Sequence, residues 1–267
     1  MFANHDALRA SLAASELSPT FQEQLLTLAR PAARFDATPG VPTEPGQSRF
    51  GGEPHLPSDV EWPVHGGTGE PLPFLAQINL AEVVGLTDLD LPATGHLYFF
   101  YDSVEQPWGY QLSDRDGFRL LYAADAGVEQ GEGPSPLPAH RLSAVSAVTV
   151  PSENSSAIDW SEEEDAYFAW SDDTPDPTEH HYLGGWPTVI QEDDMAAKSS
   201  ALSRGLEYRH GMDVSDDAGT WVLLAQFASH DDGDWSWGDD GCLYVWIRRE
   251  DIRDGRWENA HLVLQCY

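Results

Sequence analysis

Short apolar runs alternate with Gly-, Pro- and Asp-rich turns along most of this chain, and several of the runs come twice. Phe74-Leu75-Ala76-Gln77-Ile78 returns as Leu223-Leu224-Ala225-Gln226-Phe227. Gly95-His96-Leu97-Tyr98-Phe99-Phe100 returns as Gly241-Cys242-Leu243-Tyr244-Val245-Trp246, and Gly51-Gly52-Glu53-Pro54 returns as Gly184-Gly185-Trp186-Pro187. Order is kept, and so is most of the spacing. Apolar runs bounded by turn formers predict strands, here over 73–80, 95–101, 108–113, 117–123, 220–228, 241–248 and 260–266. The stretch Leu97–Tyr101 is apolar on both faces, so it must be covered on both sides.

Helical periodicity is confined to three places. Residues 1–32 read as helical: Ser18 is a cap, Pro19 suits a first turn, Phe21, Leu25 and Leu28 recur at helical spacing, and Pro31 ends the run. Ser161-Glu162-Glu163-Glu164 has capping-box form ahead of Tyr167, Phe168 and Trp170. A third helix is expected over Met195–Arg204, with Asp194 as its cap and Gly205 as its stop. Closely spaced prolines from Phe35 to Trp62 predict a long ordered loop, because proline removes ladder donors. Residues 124–157, with Pro134, Pro136 and Pro138, read as loop and edge strand.

Together these patterns predict an α+β, sheet-rich fold, internally duplicated as two pseudo-symmetric antiparallel β lobes with a few helices. The expected organisation is an N-terminal helical extension (1–34) packed as a lid or buttress and a first β-rich half (35–157). An acidic helix and linker (158–179) and a second β-rich half (180–267) follow, all in one globular body.

Charge narrows the function. Fourteen basic against 45 acidic residues give a formal net charge of −31 and a pI near 4.3. Such a surface repels phosphate backbones and anionic lipid, which argues against nucleic-acid and membrane-surface binding. It favours a basic protein partner, or it reflects solubility and a genome-wide or salt adaptation; Lys198 is the only lysine. Cys242 and Cys266 are too few for a disulfide framework and are expected reduced and buried. Without a secretory signal or a long apolar run, the expected location is the cytoplasm, and Asn154-Ser155-Ser156 is then only a chance glycosylation match.

Catalytic templates are missing. There is no Gly-x-Ser-x-Gly elbow, no His-Glu-x-x-His, no phosphate loop, no dinucleotide fingerprint and no Cys-x-x-Cys pair. No catalytic residue, cofactor or metal is therefore assigned. The strongest local signal is the loop Ser229–Gly241, which holds Asp231, Asp232, Asp234, Trp235, Trp237 and Asp239. Its carboxylates could meet a hard cation and its indoles a ring or a cation, whereas turns and core anchoring ask for the same residue types. Gln77 and Gln226 are polar side chains within apolar strands at matching positions. Each must bond a neighbouring loop, meet the other near a dyad, or face a ligand between the lobes. The adjacent His180 and His181 point to opposite strand faces and so read as structural.

These motifs resemble the YwqG-like family, a bacterial domain of unknown function. The residues that carry the likeness are Phe50-Gly51-Gly52-Glu53-Pro54, Glu61-Trp62-Pro63, Pro73–Leu80, Gly95–Phe100, Leu224-Ala225-Gln226, Trp237–Gly241 with Leu243-Tyr244, and Leu264-Gln265-Cys266-Tyr267. The likeness runs from about residue 45 to the end. It implies a cytoplasmic, duplicated, sheet-rich protein, with members suggested to sit near bacterial toxin systems, and supplies no activity. The expectation is a non-enzymatic binding protein, immunity-like towards a basic protein partner. The alternative is a small-molecule or divalent-metal-dependent enzyme or sensor with its site in the interlobe cleft, where Gln77, Gln226 and the Asp-Trp loop would converge.

Overall fold

The computed structural model of the chain describes residues 1–127, 133–134, 137–152, 155–160, 162–172, 180–209, 212–213, 217, 219–230 and 235–267. Through them run strands β1 (Arg30–Pro39), β2 (Arg49–Phe50), β3 (Phe74–Asn79), β4 (His96–Tyr101) and β5 (Phe118–Ala123). Then come β6 (His140–Thr149), β7 (His181–Gly184), β8 (Trp221–Ala228), β9 (Cys242–Arg248) and β10 (His261–Gln265). All neighbours pair antiparallel in one sheet of order β10-β9-β8-β7-β1-β6-β2-β3-β4-β5. The expected pair of lobes is thus a single continuous sheet, because β1 and β6 join what lies on either side of them.

That sheet curls until it is nearly a closed barrel. Phe35, Phe99, Leu120, Leu142, Phe227 and Leu264 come from strands spread across it, yet all belong to one buried cluster. The other face is covered piecewise. Tyr182, Trp221, Tyr244 and Val263 pack under helix α4 (Met195–Ser203), and Phe74, Tyr98 and Phe100 pack under Leu56 and Leu72. Helices α1 (His5–Ala13), α2 (Pro19–Leu28) and α3 (Glu164–Asp172) gather around Val148 of β6, the buttress that the N-terminal periodicity predicts. A final helix, α5 (Arg249–Asp254), follows β9.

Three expectations change. Residues 30–39 form a central strand where the prolines predict helix end and loop. Pro31 and Pro39 lie outside the Ala32–Phe35 stretch that bonds β7, so neither removes a donor that the ladder needs there. His140–Thr149 is likewise a central strand rather than an edge, paired with both β1 and β2. The expected strand over 108–113 is absent, because Gly109 (φ +78°) turns the chain into a 3-10 segment at Leu112–Gly117.

Other local signals hold. Ser18 caps α2, its hydroxyl accepting the Phe21 N–H at 3.3 Å, and Gly205 in the left-handed region (φ +73°) follows α4. Asp194 precedes α4 without capping it through its side chain, and pairs instead with Lys198 at 2.6 Å. Ser161 of the expected capping box lies outside the described residues.

Candidate functional site

A β-bulge decides where both glutamines point. In β3 the register shifts between Phe74 and Ala76, and in β8 between Leu223 and Ala225. An extra residue reverses the facing of everything after it. Leu75 and Ala76 both enter the barrel interior, as do Leu224 and Ala225, so Gln77 and Gln226 are turned outward beneath covering loops.

There each glutamine pins a loop. Gln77 Oε1 accepts the His55 N–H at 2.8 Å, and its Nε2 donates to the Gln47 carbonyl at 3.0 Å. Gln226 Oε1 accepts the Thr188 N–H at 3.0 Å and the Tyr182 hydroxyl at 2.7 Å. The carbonyls of the same two loop residues are also held: Tyr98 donates to His55 O at 2.8 Å, and Tyr244 donates to Thr188 O. Burial raises the pKa of both phenols, so they remain donors. Both glutamines are fully buried and satisfied within the protein.

The Asp-Trp loop goes elsewhere. Trp235 and Trp237 lie inside the barrel, where both indoles donate to the Ala228 carbonyl at 3.1 and 3.3 Å. The Phe50 ring lies tilted over Trp235 with centroids 4.2 Å apart, and His140, His181 and His230 surround that indole. The His181 pKa is lowered to about 3 by burial, then by His230, His180 and His140. Asp239 is exposed, with its backbone carbonyl accepting the Tyr267 N–H at 3.0 Å. Asp231, Asp232 and Asp234 lie outside the described residues. The sheet wall separates the two glutamines from the two tryptophans, so these four do not converge. No group of three or more His, Cys, Asp or Glu among the described residues could hold a metal ion.

A different place gathers unspent polar groups: the seam where β5 and β10 fail to pair. One side is closed by the Leu264 N–H donating to the Trp108 carbonyl at 3.1 Å, with Gly109 lodged against Leu262. On the other side, Tyr122 stacks on Trp257 at 5.8 Å. Between these closures lies a cleft of about 350 Å³, with Tyr101, Phe118, Leu120, Leu202 and Leu262 among its apolar walls. Its polar lining is Asp114, Arg115, Asp116, Arg119, Glu258 and His261. Asp114 is committed, accepting the Tyr110 and Gln111 N–H groups at 2.8 and 3.1 Å.

Arg119 donates to the carbonyls of Arg115 and Phe118 at 2.8 and 2.6 Å. Neither Arg115 nor Arg119 has a carboxylate within ion-pair distance among the described residues, in a chain with 45 acidic side chains. The Arg115 pKa is lowered by partial burial and by Arg119, with Asp116 acting in the opposite direction. Burial, aided by Arg115 and Arg248, lowers the His261 pKa to about 3, so its ring is neutral at pH 7. Sequence reasoning passed over Arg115, Arg119 and His261. The one available signal was scarcity: with 14 basic residues in all, two fall within Arg115-Asp116-Gly117-Phe118-Arg119.

The described strands thus form a single curled antiparallel sheet with a lined gap between β5 and β10. Residues 48–266 match the domain of unknown function DUF1963, and the chain belongs to that family, the family of YwqG-like proteins. No curated protein matches the chain. No helix among the described residues is long and apolar enough to cross a membrane.

Proposed function

We propose that this protein is a non-enzymatic binding protein that takes a small ligand into the seam cleft between β5 and β10. The carrying observation is a cavity of ligand size whose walls hold a buried imidazole with no hydrogen-bond partner and two arginines with no ion pair among the described residues. Ligand sites of this kind are largely apolar, with a few placed polar groups. The seam takes the place of the interlobe cleft foreseen in the sequence, without Gln77 or Gln226. Leu112 lines the mouth at 38% exposed, so L112W should obstruct entry and leave the fold intact. Native mass spectrometry of the protein purified from its own cell extract should find a small molecule on the wild type and not on L112W. Equal retention on both, or none on either, would count against the reading.

A second reading rests on the net charge of −31: an acidic, immunity-like surface that neutralises a basic bacterial protein in the cytoplasm. Its test is pull-down at physiological salt, and recovery of no basic protein would count heavily against it.

We further infer that the sheet arose by duplication of a five-strand unit, β1–β5 and β6–β10. Strand register supports this. Leu183 faces Ala33 and Phe50 faces His140, while Ala33 faces Ser146 and His140 faces Pro39. An axis through the Asp36–Ser143 pair therefore carries one set onto the other. The paired bulges and the paired Gln–loop–Tyr contacts follow the same axis. On this reading the boundary lies between Ala123 and His140 rather than in the acidic linker at 172–179.

A further inference from the structure

His261 is the unusual residue of β10. Its ring is 3% exposed, and neither Nδ1 nor Nε2 has a hydrogen-bond partner among the described residues. Buried polar groups are normally satisfied, so each exception calls for an explanation. Trp246 faces it on β9, and its indole N–H is equally unspent. Trp221 packs against the imidazole edge to face at 5.3 Å, which holds the ring in place without satisfying it.

The charges that act on this ring are both guanidinium groups, Arg115 and Arg248. Arg248 is committed to Asp217 at 2.9 Å; Arg115 has no such partner among the described residues. Guanidinium binds carboxylate in a charge-assisted, frequently bidentate pair. Leu120, Leu202 and Leu262 supply an apolar wall beside these groups. A buried imidazole, an uncommitted guanidinium and an apolar floor are complementary to a carboxylate carried on an apolar body.

We propose that the seam cleft binds a small organic acid, its carboxylate held by Arg115 and the His261 ring and its apolar body against Leu120, Leu202 and Leu262. This rests on the cleft being the ligand site. Asp116 and Glu258 also line the cleft and repel a second negative charge, so a monocarboxylate binds better than a dicarboxylate.

The test is an amide NMR titration of the full chain with hexanoate, and with hexanamide, succinate and inorganic phosphate as comparators. Hexanoate should shift the signals of residues 115–119 and 258–262 and saturate in the millimolar range. Hexanamide should bind about tenfold or more weakly, the scale of one charge-assisted hydrogen bond, and succinate and phosphate should trail hexanoate. Arg115 is exposed, so R115M should keep the wild-type melting temperature and lose about tenfold in hexanoate affinity. If hexanamide binds as tightly as hexanoate, or R115M binds hexanoate unchanged, the cleft stands and carboxylate recognition falls. If none of the four probes moves the cleft residues, both ideas fall.

Discussion

One buried amide can hold a whole loop when both backbone groups of a single residue are spoken for. Thr188 gives its N–H to Gln226 and its carbonyl to Tyr244, and His55 is held in the same way by Gln77 and Tyr98. Q226L strands the Thr188 N–H, while the Tyr182 hydroxyl can still donate to the Trp186 carbonyl at 2.9 Å; it should cost about 1–3 kcal/mol in urea unfolding, as should Q77L. The two sites hold separate loops, so the losses should add in the double variant. Acid sensitivity also resides in single residues. His181 and His261 both fall from 6.5 to about 3 in the folded protein. The unfolded chain takes up protons near pH 6.5 that the folded chain refuses, so this stability is full above that pH and lost as pH falls towards 3. Between pH 6 and 4 the two together should lower unfolding free energy by up to about 2.7 kcal/mol per pH unit. Urea midpoints across that range check the slope, and H181F should roughly halve it. The sequence marked both glutamines as out of place in apolar strands. It could not tell loop from ligand, because a peptide group and a bound molecule make the same demand on an amide.

At the scale of elements, strands with unbroken apolar runs were readable and strands with mixed exposure were not. β3, β4, β8, β9 and β10 lie within about two residues of their expected limits, because almost every side chain in them is buried. β1 escaped notice, and β6 was read as loop and edge strand instead of a central strand. Helices cover only part of their outer face, so their burial alternates irregularly and resembles loop composition. The bulges in β3 and β8 were invisible too, since the extra residue in each is as apolar as its neighbours. The seam cleft was hidden for another reason: Arg115 and His261 meet only because the sheet curls and brings its first-half and second-half edges together. The Asp-Trp loop combines two elements of different kind, an exposed Asp239 and an interior pair of indoles. W235A should therefore cost about 3–5 kcal/mol in chemical denaturation, through loss of the packing against Phe50 and His140. D239N, on an exposed side chain, should stay within about 0.5 kcal/mol.

For the whole molecule, a charge of −31 makes the compact state pay for self-repulsion that added salt relieves. The melting temperature should therefore rise as sodium chloride increases from low to physiological concentration, and a flat response would show that the charges are spaced too widely to matter. The strand order has a consequence of its own. β1 is made early in the chain, yet both of its neighbours, β6 and β7, are made late. Synthesis therefore leaves its two long edges bare until the C-terminal portion emerges, and β1 cannot join the β2–β5 strands without β6 between them. Severing the chain between β5 and β6 should give two pieces that are each insoluble alone and that reconstitute the native circular dichroism only when refolded as a mixture.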